Sequence, residues 1–389
     1  MNQQQIVQAK RATQFIFLVC GLGIASWAPI VPLAKDRLQL NEADLGLLLL
    51  FLGGGALTMM PLSGIFIRKM GSRKVIAVSV LATALLLPWL LVISNIYLMA
   101  AALFAFGCGI GTVDVAMNAH GVQVQNIYDK PIMSSLHGLF SVGGLFGSLG
   151  LGFLMKIGLE PIVAAISISV LLILLLIIQF KNLFTYEAER EIILKFSHVD
   201  EKKSANNRFE WLNSTILILG LMCFIVFLSE GAMLDWSAVF LRDTKDVDAE
   251  LAGIGYAAFS VAMAVMRLTG DSLISKLNSK IIVIGGSIIA AVGILILIFS
   301  PWIPLYLLGF ILLGMGAANI VPVFFSEGGR ISGVSPTVSI PAITTMGYAG
   351  QLAGPALLGF IAHHFSLTVA FESIALLFIV VAVIYTFRK

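Results

Sequence analysis

The chain has 389 residues, of which 59% are hydrophobic and only 12% charged, with a formal net charge of +3. Soluble domains are nearer half apolar and a quarter charged, so this balance excludes an ordinary globular protein and indicates a polytopic membrane protein. The basic residues are scattered between apolar runs, which excludes a nucleic-acid surface. Cys20, Cys108 and Cys223 fall inside those runs, without the spacing of a disulfide framework or a metal site.

Runs of about 20 apolar residues predict membrane-spanning helices. They lie at 12–33, 44–67, 74–95, 97–125, 132–156 and 159–181, then at 212–241, 247–275, 280–300, 302–327, 336–363 and 366–387. The first follows Lys10 and Arg11 and lacks a convincing cleavage site, so it is read as a retained helix rather than a signal peptide. The expected fold is therefore all-α, with an N-terminal six-helix bundle (1–183), a linker (184–211) and a C-terminal six-helix bundle (212–389). The linker concentrates charge and holds no spanning run; a short surface helix is expected near Glu187–Phe196.

Lysine and arginine placement sets orientation. With a cytoplasmic N-terminus, the inner segments hold Lys10, Arg11, Arg68, Lys69, Arg73, Lys74, Lys130, the basic residues of the linker, Lys276, Lys280, Arg330, Arg388 and Lys389. The outer loops hold Lys35, Arg37, Lys156, Arg242 and Lys245. Both termini and the linker are expected to be cytoplasmic, in a bacterial inner membrane.

The fourth predicted helix carries GCGIGTVDVAMNAHGVQVQ, Gly107–Gln125. An ionised carboxylate at the centre of a spanning helix costs about 2.5–3.5 kcal/mol on insertion scales and by default marks a pathway for ions or substrate. At 100° per residue Asp114 and Asn118 share a face, roughly 40° apart, while His120 points elsewhere. Gly107, Gly109 and Gly111 permit close backbone approach.

Shifting the chain by 207 positions pairs Gly46 with Gly253, Lys69 with Lys276, Gly107 with Gly314 and Gly109 with Gly316. The same shift pairs Gly143, Gly147 and Gly152 with Gly350, Gly354 and Gly359. One offset across three helix regions indicates two similar halves in parallel orientation, an arrangement whose substrate sites lie near the bilayer midplane.

Twelve helices, a central linker and duplicated halves resemble the major facilitator superfamily over essentially the whole length. That family carries Gly-x3-Asp-Arg-x-Gly-Arg-Arg/Lys after its second helix. Here GIFIRKMGSRK, Gly64–Lys74, keeps the second glycine and the basic residues but has Arg68 in place of the aspartate. The second-half copy around Ser275–Asn278 is weaker. The resemblance implies an inner gate using Arg68, Arg73 and Arg267, with the acid supplied by Asp271 or Glu327. DVAMNAHG (Asp114–Gly121), SSLHGLFSVGGLFG (Ser134–Gly147) and EGAMLDWSAVFLR (Glu230–Arg242) resemble a bacterial branch that includes a rhizopine permease. More distantly, the acid-x3-Asn of Asp114 and Asn118 is similar to the fourth helix of fucose–proton symporters, where the acid takes part in proton coupling.

Asp114 and Glu230 are the expected proton-coupling acids, with His137 as a relay, since imidazole changes charge between pH 5 and 8. A structural pairing of Asp114 with Arg267 is the competing reading. Asn118, Trp27, Trp236 and Gln351 are expected to contact substrate; interfacial anchoring of the tryptophans and helix-to-helix bonding of the amides are the bland alternatives. Asp235 is read as an outer-gate or helix-end residue. Arg267 and Asp271, one turn apart, are expected to offset each other's charge.

The reading is a secondary transporter working by alternating access. The resemblance implies symport of a small polar solute, sugar- or cyclitol-like, with protons. Proton-driven efflux of an amphipathic compound is the alternative. No HExxH, GxSxG or phosphate loop is present, which argues against an enzyme. No cofactor or metal is expected; the partners are the solute, protons and the lipid bilayer, and the chain is read as a monomer.

Overall fold

The computed structural model describes residues 3–40, 42–197, 210–247 and 254–388. Gly253 of the repeat, linker residues 198–209 and Lys389 lie outside them.

Each apolar run folds as a helix, because only internally satisfied backbones span a bilayer. The first run is divided into α1 (Gln3–Ala25) and α2 (Ile30–Leu38). The interruption falls at Pro29, which has no amide hydrogen to continue the ladder. Next come α3 (Glu42–Met70), α4 (Ser72–Trp89), α5 (Ile96–Tyr128), α6 (Met133–Lys156) and α7 (Pro161–Phe180). The linker begins with α8 (Tyr186–Ser197), close to the expected surface helix.

The second half contains α9 (Ser214–Val239), α10 (Ile254–Phe299), α11 (Ile303–Ala317), α12 (Ile320–Gly328), α13 (Pro336–His364) and α14 (Leu367–Phe387). At 46 residues α10 measures about 69 Å at 1.5 Å per residue, twice the roughly 30 Å hydrocarbon core. It bends at Asn278 (φ 63, ψ 163) and so covers the described part of the predicted helix 247–275, from Ile254 on, and nearly all of 280–300; residues 248–253 lie outside the described residues. Helices α11 and α12 together make one predicted span, broken near Asn319. Among the described residues nine helices are long and apolar enough to cross a membrane. Counting α10 twice and adding α1 and α13 gives the twelve spans of this fold.

Contacts divide the chain into two units that differ from a plain split at the linker. Unit 1 comprises Met1–Asp129, Leu139–Glu210 and Gly329–Ala342; unit 2 comprises Lys130–Gly138, Trp211–Gly328 and Ile343–Lys389.

The 207-residue repeat extends to individual contacts inside each unit. A Cβ added at Gly107 would lie 1.9 Å from the Leu52 carbonyl oxygen; one added at Gly314 would lie 2.4 Å from that of Phe259. Both residues of the second pair stand 207 positions after those of the first. Side chains placed there would force the helices apart, which is why small residues mark such crossings. The carbonyls just beyond the C-terminus of α4, those of Leu90, Leu91 and Ile93, accept from Arg37. In unit 2, Lys245 caps the Ile298 and Ser300 carbonyls in the same way. Gly71 (φ +81) and Asn278 (φ +63) are likewise 207 apart and are both left-handed where one helix turns into the next.

Candidate functional site

In unit 2 the central feature is a buried ion pair. The Arg267 guanidinium on α10 donates to Glu230 on α9 at 2.8 Å, with side-chain exposures of only 7% and 15%. Arg267 also donates through Nε to the Ala318 carbonyl at 3.2 Å. That carbonyl is free for a simple reason: its helical partner four residues on would be Pro322, which has no N–H. The proline that breaks α11 from α12 therefore creates an acceptor for the arginine. Asp114, for which a structural pairing with Arg267 is the competing expectation, belongs to unit 1, whereas Arg267 belongs to unit 2.

Asp271 lies one turn from Arg267, but its carboxylate oxygens accept from the backbone N–H groups of Ser134 (3.0 Å) and Ser135 (3.2 Å). It thus caps the first turn of α6, where free amides and the helix dipole favour negative charge. Residue 64, its counterpart in unit 1, is a glycine. A Cβ there would lie 2.2 Å from the Thr337 carbonyl oxygen, so the first turn of α13 rests on bare backbone.

Glu327 accepts from the Tyr385 hydroxyl and the Arg388 guanidinium, both at the end of α14. His137 is buried and stacks on Phe325, with ring centroids 5.5 Å apart. A Cβ added at Gly231 would lie 2.6 Å from the Gln351 carbonyl oxygen, so α9 and α13 meet at backbone distance beside Glu230. The Trp236 ring packs against Gly359, 3.0 Å from where its Cβ would stand. Asp235 is exposed.

In unit 1 Asp114 is 5% exposed within α5. Asn118 donates from Nδ2 to the Asp114 carbonyl at 2.9 Å, and its Oδ1 takes no hydrogen bond among the described residues. Gln123 was not singled out from the sequence. It is buried on the same helix, with neither end of its amide bonded among the described residues. The only sequence signal was a polar residue within an apolar run. Trp27 is buried at the α1–α2 interruption.

His120 is structural. Thr13 spends its hydroxyl proton on the Ala9 carbonyl (2.7 Å), so its oxygen accepts from His120 Nδ1–H at 2.9 Å. The other ring nitrogen, Nε2, accepts the Phe184 backbone N–H at 3.0 Å. The ring is thus the neutral Nδ1–H form, with both nitrogens taken. Arg68 is exposed, whereas the Arg73 guanidinium lies 4.0 Å above the centre of the Phe180 ring. Asp114 and Asn118 are brought together on one helix, as are Glu230 and Arg267 across two; Glu327 is drawn to α14 and Asp271 to α6.

The Major Facilitator Superfamily model matches residues 14–333. The chain belongs to that superfamily. It is 41% identical over 385 residues to an uncharacterized MFS-type transporter of Yersinia pestis, covering 98% of this chain and 97% of the relative. It is 33% identical over 360 residues to membrane protein MosC of Rhizobium meliloti, covering 90% and 83%. Among solved structures the superfamily transporter FucP in the outward conformation superposes with a TM-score of 0.77 at 16% identity, covering 99% of both chains. This superfamily member is a multi-pass membrane transporter, and the apolar setting of its buried charges is that of a transport protein. Among the described residues no group of His, Cys, Asp and Glu could hold a metal ion.

Proposed function

We propose that this transporter carries a small polar solute, sugar- or cyclitol-like, in symport with protons by alternating access. The observation that carries the reading is the Glu230–Arg267 pair, withdrawn from solvent between two membrane-spanning helices. Charges in such positions are costly and by default belong to an ion or substrate pathway. A proton added to Glu230 removes its charge and loosens its hold on Arg267, so loading and release can be linked to rearrangement. Asp114 supplies a second protonatable group. Asn118 Oδ1 and the Gln123 amide, unbonded among the described residues, offer donors and acceptors of the kind a polyhydroxy solute requires. FucP, a fucose:proton symporter, has the same fold and adds support.

The excess of lysine and arginine in alternate loops supports a cytoplasmic placement of both termini and the linker, in a bacterial inner membrane. A potential of 100 mV is worth about 2.3 kcal/mol per charge moved, enough for roughly fifty-fold accumulation. The test is proton movement itself. Sugars and cyclitols are added to lightly buffered, de-energised vesicles containing the transporter. The reading expects alkalinisation of the medium with at least one of them; solute flux without proton movement would overturn it.

A further inference from the structure

The two repeats solve one problem in different ways. After each left-handed residue a new helical stretch begins with unpaired backbone amides. In unit 2 Asn278 provides its own cap: its Oδ1 accepts from the Ile281 N–H at 3.1 Å. In unit 1 the equivalent residue is Gly71, which has no side chain to do so. The acceptor comes instead from the linker, where Glu189 Oε2 accepts from Ser72 N–H at 2.8 Å.

Glu189 is only 3% exposed, and the linker packs closely around this turn. A Cβ on Gly71 would come within 3.2 Å of Tyr186 Cα, so glycine there makes room for α8 as well as for the positive φ. Leu183, Phe184 and Ile192 are buried alongside, and the Phe184 amide is held by His120. Polar atoms converge here without being fully satisfied, among them Arg73 Nε, which is buried and makes no hydrogen bond among the described residues.

We infer that Glu189 is a positioning residue, the N-cap of α4 supplied by the linker, and that its protonation governs how firmly the linker is clasped to unit 1. Burial pushes its carboxyl up to about 7, against the opposing pull of the Ser72 amide. Helix α8 packs against α4, which carries Arg73 and Lys74, and against α5, which carries His120 with both nitrogens taken; α8 itself carries Tyr186, Glu187 and Arg190. Glu187 sits near Lys74 and is held below its ordinary range chiefly by a hydrogen bond from its own backbone N–H, with Thr185 and then Lys74 adding to the effect, so it does not titrate in the same window.

The sign follows from linkage. The docked acid binds its proton more tightly than the free acid, whose ordinary value is 4.5. Docking is therefore strongest at low pH. It weakens by up to about tenfold per unit as pH rises from 4.5 to 7, and levels off above that.

Hydrogen–deuterium exchange of the full-length protein in nanodiscs, between pH 5 and 8, tests this without needing the substrate. Comparing wild type with Glu189→Gln at each pH cancels the intrinsic exchange rate. Glutamine keeps an acceptor but cannot ionise. Exchange across 183–197, relative to that variant, is expected to rise steeply up to about pH 7 and then flatten. A ratio independent of pH overturns the proton-sensitive clasp. Glu189→Ala is expected to speed exchange of both 183–197 and the first amides of α4 at every pH. Unchanged exchange there overturns the capping role. In the Glu189→Ala background, Gly71→Asn is expected to restore protection to α4 but not to the linker, by copying the solution used in unit 2. Failure to restore it counts against the cap.

Discussion

Separating Glu230 from Arg267 makes an asymmetric prediction. The two groups meet at 2.8 Å with 15% and 7% side-chain exposure, so neither can recover hydration where it stands. Glu230→Gln keeps a neutral acceptor beside Arg267 but removes the counter-charge, leaving a guanidinium that cannot give up its own charge. Breaking a buried pair in this way costs about 3–5 kcal/mol. Arg267→Met leaves a carboxyl, which can take up a proton and become neutral; its cost is closer to that of one unsatisfied polar group, about 1–3 kcal/mol. At roughly 2–4 °C per kcal/mol for a unit of this size, Glu230→Gln should lower the unfolding midpoint by about 6–20 °C, and Arg267→Met by less. Combining the two removes both charges, so the double variant should be more stable than the sum of the singles implies, by about 1–3 kcal/mol. Fluorescence-detected thermal unfolding of purified protein measures all three. Strictly additive effects, or an arginine substitution as damaging as the glutamate one, would refute the reasoning.

Gly107→Ala and Gly314→Ala should each destabilise by about 1–3 kcal/mol, because the new methyl meets a carbonyl oxygen of the neighbouring helix. Gly150→Ala, which points into open space, should be tolerated; equal effects in a thermal-shift series would discount the crossings. Asn278→Val should cost about 1–2 kcal/mol, since it places a β-branched residue at φ +63 and removes the cap on Ile281. Asn278→Gly, which keeps the backbone but loses the cap, should fall between Val and wild type in the same measurement.

The helices were legible because spanning segments must be long and apolar, and the repeat because small residues at backbone crossings leave few substitutes. Spacing alone pairs Gly107 with Gly314, and each meets a neighbouring carbonyl, that of Leu52 or Phe259. Asp114 and Glu230 stood out because charge within an apolar run needs a reason. The partners were not legible. Nothing in the spacing of Arg267 and Asp271 indicates that the first reaches Glu230 and the second caps α6, since both choices depend on tertiary packing. Glu189 was hidden more completely: in a charged linker one buried carboxylate resembles its solvated neighbours Glu187 and Glu191. The available clue was that Gly71 lacks the capping side chain present at Asn278, which becomes informative once both turns are seen to be left-handed. His120, which the helix count turns away from Asp114, is made an anchor for the linker by its Thr13 and Phe184 bonds, partners that no spacing reveals.

The central claim is that buried acids couple solute movement to protons. Its most direct test compares accumulation with exchange in Asp114→Asn proteoliposomes, once a transported solute is in hand. The account predicts that gradient-driven accumulation is lost while counterflow of labelled solute continues. Accumulation at the wild-type level would contradict it.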